Sequence, residues 1–113
     1  MYLTDGEFEL MGVLWKSGVS MTVAEICDAS GNLSRSKQSI YIMMTSLLDK
    51  GAVDYIYKPT TTTNARAYRP TLTLEEYLAK DLVSTTKKPD LHLNIDELIK
   101  NIWKAANELE TED

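Results

Sequence analysis

One short stretch of strand-like alternation, set in a chain otherwise patterned for helices, constrains this protein most. Val53 to Lys58 alternates as a strand, Pro59 to Asn64 is a threonine-rich turn, and Ala65 to Arg69 is a second strand closed by Pro70.

Three helical segments precede it. In the first, Thr4 and Glu7 form a capping box, each side chain satisfying a free backbone N–H of the opening turn. Phe8, Leu10, Met11, Leu14 and Trp15 follow at helical spacing until Ser17-Gly18 stops the pattern. A second box, Thr22 with Glu25, starts a short helix with Val23, Ala24, Ile26 and Cys27 on its apolar side and Gly31-Asn32 at its end. The third helix begins at Ser34 or Ser36 and runs to Lys50, with Gly51 as its stop. Its inward face is Ile40, Met43, Met44, Leu47 and Leu48. Its outward face is Lys37, Gln38, Ser39, Tyr41, Ile42, Thr45 and Ser46, with one acid, Asp49, at the far end. A solvated face of this length usually carries several charges of both signs. This one looks built to meet a partner.

Helix, helix, helix and hairpin is the outline of a winged helix-turn-helix, whose third helix enters the major groove while the hairpin follows the backbone. The expected fold is therefore mainly α with a small β-hairpin wing over residues 1–72, followed by a helical dimerisation region over 73–113. There Leu74-Glu75-Glu76-Tyr77-Leu78 opens a fourth helix reaching about Val83, and Lys87-Lys88-Pro89-Asp90 breaks it. Asn94, with Glu97 three residues on, caps a last helix. Its apolar positions are Ile95, Leu98, Ile99, Ile102, Trp103, Ala106 and Leu109. A stripe about 24 Å long is more than a small winged domain can bury, and a second copy of the helix is the simplest cover. Leu78 and Leu82 of the fourth helix join that dimer surface, with Trp103 as its anchor. Asp96 with Lys100, and Lys104 with Glu108, supply ordinary i, i+4 support.

The net charge of −5 seems to argue against nucleic acid, so its distribution matters. Residues 1–70 hold seven basic and seven acidic side chains, whereas 71–113 hold five and ten. Ala29 to Leu48 and Tyr55 to Leu74 contain no acid at all. A phosphate responds to the field within about 10 Å, so the acidic C-terminal part does not exclude DNA. In the third helix, Arg35, Ser36 and Lys37 lie where phosphates meet a helix N-terminus, and Gln38 has the shape to pair with an adenine edge. Ser39 and Thr45 suit bases or phosphates, while Tyr41 and Ile42 suit either thymine methyls or packing against a neighbour. In the hairpin, Lys58 and Arg66 are read as phosphate contacts, Arg69 equally as surface charge, and the threonines at 60–63 as a wing tip.

With one Cys27 and one His92, no disulfide framework, metal cluster or nucleophile–base pair can be assembled in a single chain. Cys27 is read as a small core residue, and neither a cofactor nor catalysis is expected. No apolar run approaches the roughly 18 residues of a membrane span, and the first residues lack signal-peptide character. These absences favour the cytoplasm.

Leu3-Thr4-Asp5-Gly6-Glu7, Met11 and Leu14-Trp15, then Thr22-Val23-Ala24-Glu25-Ile26, follow in a telling order. Ser39-Ile40, Leu47, Lys50-Gly51-Ala52-Val53, Tyr68-Arg69-Pro70 and Glu75-Glu76-Tyr77-Leu78 complete it. Over residues 3–82 this chain resembles the penicillinase-repressor family. The resemblance implies a dimeric repressor with an N-terminal winged helix and a C-terminal helical dimerisation region, seated on a palindromic operator in double-stranded DNA. In the family's best-known members a membrane sensor triggers proteolysis of the repressor; whether any protease or sensor acts here is left open.

The chain departs from the family at several points. Ile42 and Ser46 stand where threonine and arginine are common. Asn64 stands where a wing arginine is usual, with Arg66 two residues later on the same strand face. The scissile Asn-Phe pair is absent, Asn94-Ile95 being the nearest analogue, and there is no paired Cys-x-Cys motif. Ile42, Ser46, Tyr41 and the acidic total motivate a second expectation, a winged-helix protein-interaction module that has lost specific DNA binding.

Overall fold

The computed structural model describes residues 1–31, 35–59 and 64–111. The threonines at 60–63, Asn32 and the alternative helix start at Ser34 lie outside the described residues. The elements are α1 (Asp5–Ser17), β1 (Met21–Thr22), α2 (Val23–Ala29), α3 (Lys37–Asp49), β2 (Val53–Pro59), β3 (Asn64–Pro70), α4 (Leu74–Lys87) and α5 (Ile95–Thr111). This is a winged helix, mainly α with a small antiparallel sheet. It divides into two compact units, Met1–Asp81 and Leu82–Asp113, the division falling within α4.

The helices of the first unit start where their caps place them. Thr4 Oγ1 accepts the Glu7 N–H at 3.2 Å while Glu7 Oε1 accepts the Thr4 N–H at 2.9 Å. Thr22 and Glu25 repeat the arrangement at 3.2 and 3.0 Å. A third box, not among the sequence expectations, is Thr73 with Glu76 at 3.1 and 2.9 Å, which opens α4. At its C-terminus α1 ends on Gly18, which adopts a left-handed φ of 71°. The α3 helix ends in a Schellman turn: Gly51, at φ 78°, donates to Leu48 O, and Ala52 donates to Leu47 O, both at 3.0 Å.

The apolar periodicity sends Leu10, Met11 and Leu14 of α1, Ile26 of α2, and Ile40, Met44 and Leu47 of α3 into one core. Val53, Tyr68, Leu72 and Tyr77 close it, with Cys27, Met43 and Leu48 packed at its edge. Each fully buried large side chain is worth roughly 1.5–3 kcal/mol, so this cluster dominates the domain's stability. Phe8 sits on the rim, edge-on to Trp15 at 5.8 Å and near Tyr77 at 5.7 Å. Trp15 Nε1–H donates to Leu72 O at 2.9 Å, tying α1 to the segment that leads into α4.

Five local expectations are corrected. Ala24 is exposed, because a seven-residue helix presents only a narrow stripe to the core, centred on Ile26. Met21–Thr22 is a strand as well as a cap: it pairs with β3, giving a three-stranded sheet in the order β1-β3-β2. The hairpin strands reach Pro59 and Asn64, which face each other in register, so both belong to strands and not to the turn. The α4 helix runs to Lys87, beyond Val83, and ends where Pro89 has no N–H to continue it and Asp90 turns left-handed at φ 54°. Ser46, assigned to the outward face of α3, is half-buried and donates to Glu7 Oε2 at 2.8 Å.

The last helix keeps its expected start, the Glu97 N–H donating to Asn94 Oδ1 at 3.1 Å. Lys100 meets Glu97 at 3.8 Å, one residue nearer than the expected Asp96. Ile95, Ile99, Ile102, Trp103 and Leu109 are all exposed in the single chain, as are Ala106 and, on α4, Leu78; Leu82 and Leu98 are half-buried. No helix among the described residues is long and apolar enough to cross a membrane.

Candidate nucleic-acid interface

The α3 helix begins one residue after its cap, Ser36, whose hydroxyl accepts the Ser39 N–H at 3.1 Å. Ser36 therefore serves the helix first, closing one of the N–H groups of the opening turn. Arg35, immediately before the cap, packs against α1: a Cβ placed on Gly6 would come within 3.0 Å of its guanidinium and 2.6 Å of Met43 Cε. The absent side chain of Gly6 lets α1 and the start of α3 approach closely.

From the cap onward the exposed positions are Lys37, Gln38, Tyr41, Ile42 and Thr45, with Ser39 half-buried. Tyr41 and Ile42 are 53% and 61% exposed, so neither is covered by a neighbour among the described residues. The Thr45 hydroxyl donates to Tyr41 O at 3.0 Å, leaving only its lone pairs outward. The first turn of α3 holds no acid, and its N–H dipoles add to the positive potential of Lys37. Among the described residues Lys37 has no carboxylate partner.

The other nominated cations are differently placed. Arg35 Nη2 lies 3.2 Å from Glu9 Oε2. Lys58 Nζ lies 3.1 and 3.0 Å from the two oxygens of Glu25 on α2. Arg69 Nε lies 2.6 Å from Asp54 Oδ1, its direct partner across the hairpin. Arg66 is instead stacked over the Tyr55 ring, 4.4 Å from its centroid, which fixes the guanidinium without neutralising it.

The strand register separates the two wing cations. Arg66 is opposite Tyr57 and Lys58 is opposite Ala65, so the alternation of side chains puts Arg66 and Lys58 on opposite faces of the hairpin. Arg66 shares its face with Tyr55, Tyr57 and Tyr68, an aromatic ladder running from the core outward, with Tyr55–Tyr57 at 5.6 Å and Tyr55–Tyr68 at 6.2 Å. Tyr57, at 62% exposure, is not among the sequence candidates, although strict alternation from Val53 puts it beside Arg66. Glu9 and Glu25 carry no sequence signal as partners of Arg35 and Lys58. Glu25 had a sufficient local role as a cap, and nothing periodic links Glu9 to Arg35.

A solvent-facing helix free of acids along most of its length, beside a hairpin carrying a stacked arginine, is the surface of a winged-helix transcription regulator. The chain matches the penicillinase repressor family over residues 3–113, and it belongs to that family. The match takes in both compact units, including α5. No curated protein matches the sequence closely enough to count as a relative.

Proposed function

We propose that the protein is a dimeric repressor that binds a palindromic operator in double-stranded DNA through α3 and the wing. The observation that carries this reading is the exposed face of α3, on which Lys37, Gln38, Tyr41, Ile42 and Thr45 are exposed with no acid before Asp49. Lys37 and the N-terminal N–H groups suit a phosphate, Gln38 an adenine edge, and Tyr41 and Ile42 thymine methyls. Arg66, held on Tyr55 with its charge intact, suits the adjoining backbone. Residues 1–72 are then the DNA-reading part and 73–113 the dimerisation part.

The exposed stripe of Ile95, Ile99, Ile102, Trp103 and Leu109 supports the dimer, since two copies of α5 would cover one another. Two recognition helices then enter successive major grooves about 34 Å apart, and occupancy of the operator excludes polymerase. Such a regulator works in the cytoplasm, alongside the DNA it reads.

The test is a titration of the full chain against its own upstream region and against random duplex, over a series of salt concentrations. Tighter binding to the upstream region, weakening steeply with salt, is the expected result. Equal affinity for both duplexes would remove operator recognition.

A second reading, a protein-interaction module, is favoured by the exposed Tyr41 and Ile42 together with the internal pairing of Arg35 and Lys58. Replacing Lys37 and Arg66 together by glutamate separates the two readings. Loss of regulation supports DNA as the ligand, and survival of regulation supports a protein partner.

A further inference from the structure

Of the four cations read as phosphate contacts, Arg35 and Lys58 are already held by carboxylates of their own domain; Arg69, read equally as surface charge, is held by Asp54. We propose that Glu9 and Glu25 act as internal stand-ins for phosphate, lowering the DNA affinity of the surface that Arg35 and Lys58 would otherwise present. The proposal rests on the DNA-binding reading above and concerns the regulation of that same surface.

Glu25 is the stronger case. Its carboxylate is oriented before Lys58 arrives, because Oε1 accepts the Thr22 N–H at 3.0 Å in the capping box of α2. That backbone bond, reinforced by Lys58, holds its pKa below the ordinary value, so the charge persists throughout the neutral range. Lys58 then meets both oxygens, at 3.1 and 3.0 Å, much as it would meet two oxygens of a phosphate. Ala65, opposite Lys58 on β3, contributes only a methyl group beside the lysine.

Arg35 is paired less completely. Only Nη2 reaches Glu9, while Nε is buried with no hydrogen-bond partner. A guanidinium offers five donors in a planar fork, and a single carboxylate oxygen leaves most of that fork unused. Both pairs remain partly exposed, with 30% and 47% for Arg35 and Glu9 and 46% and 44% for Lys58 and Glu25. Exposed pairs are weak, so a phosphate can displace the carboxylate at the expense of a few-fold in affinity. Lys37 and Arg66 carry no such penalty. Basal attraction to any duplex is thereby reduced, and a larger share of binding is left to Gln38 and its neighbours, which read bases.

The test uses the full chain, a short random-sequence DNA duplex and fluorescence anisotropy across a sodium chloride series. Glu25→Gln and Glu9→Gln should each tighten binding roughly two- to fivefold. Each should also steepen the slope of log affinity against log salt by up to about 0.9, because one more cation becomes available to release a counterion. Glutamine at position 25 can still accept the Thr22 N–H, so the helix cap survives, and an unchanged melting curve checks this. The gain from Glu25→Gln should vanish in a Lys58→Gln background, and that from Glu9→Gln in an Arg35→Gln background. A gain that persists in those backgrounds is a general charge effect and overturns the proposal. So does no gain, or a loss of affinity with a lowered melting temperature, which would make the pairs structural ties only. If neither the parent protein nor any variant binds duplex at low salt, the DNA reading itself fails, and the proposal with it.

Discussion

The Ser46 hydroxyl donates to Glu7 Oε2 at 2.8 Å, joining two residues 39 positions apart. The same carboxylate accepts the Thr4 N–H and pairs with Lys50 Nζ, which also donates to Tyr2 O at 2.8 Å. One buried carboxylate thus closes the N-terminus of α1 and fastens the far end of α3 to it.

The joint has a pH signature. Burial alone would raise the Glu7 pKa, but Lys50, the Thr4 N–H and the Ser46 hydroxyl outweigh it and lower the value from 4.5 to about 2. A carboxyl depressed on folding contributes stability above its unfolded pKa and loses it as pH falls through the folded one. Stability should therefore decline between about pH 4.5 and pH 2. Glu7→Gln should cost about 1.5–3 kcal/mol at neutral pH, the worth of hydrogen bonds to a charged group, and should flatten that acid limb. Urea unfolding at several pH values measures both.

Two glycines should respond in opposite directions to alanine. Gly51 sits at φ 78° with open space around the missing Cβ, so Gly51→Ala meets backbone strain alone and should destabilise by about 1–2 kcal/mol. Gly12 lies inside α1, where an added Cβ also meets nothing within 4 Å and φ is not left-handed. Gly12→Ala should stabilise by about 0.5–1 kcal/mol. Thermal melts of the two variants decide it.

On the proposed DNA surface, Lys37 and Gln38 should differ in kind. Lys37→Gln should weaken binding to every duplex alike and reduce the salt slope by about 0.9. Gln38→Ala should leave the slope unchanged and lower discrimination at one base position by about 1–3 kcal/mol. Competition titrations with single-base operator variants separate the two effects.

Trp103 is 68% exposed at the centre of the α5 stripe. If it anchors the dimer, Trp103→Ala should weaken self-association by at least about 2 kcal/mol, or roughly thirtyfold. The helix itself should survive, since Asn94 still caps it. Sedimentation equilibrium measures the first and circular dichroism the second.

Helix starts are the most legible part of this chain. Two Thr-x-x-Glu boxes place the starts of α1 and α2, and the third, at Thr73–Glu76, carries the same local signal for α4. Asp54 with Arg69 follows from the hairpin register once Pro59 and Asn64 are known to face each other. By contrast, β1 is two residues long and already accounted for as a cap, so its pairing with β3 has no pattern of its own. Ser46 lies on α3 between the buried face and the solvent, and only the presence of Glu7 turns it inward.

The cations of the candidate interface show the same division. Sequence alone determined that α3 would carry an outward face free of acids before Asp49 and that the hairpin would carry Lys58 and Arg66. Helical and strand periodicity depend on bonds within a few residues, and those are written locally. Only the tertiary structure decided which cations remain available: Arg35 is paired with Glu9 across 26 positions and Lys58 with Glu25 across 33, while Arg66 lies on Tyr55. An ion pair depends on distance and exposure after the chain has closed on itself, and neither quantity leaves a period in the sequence.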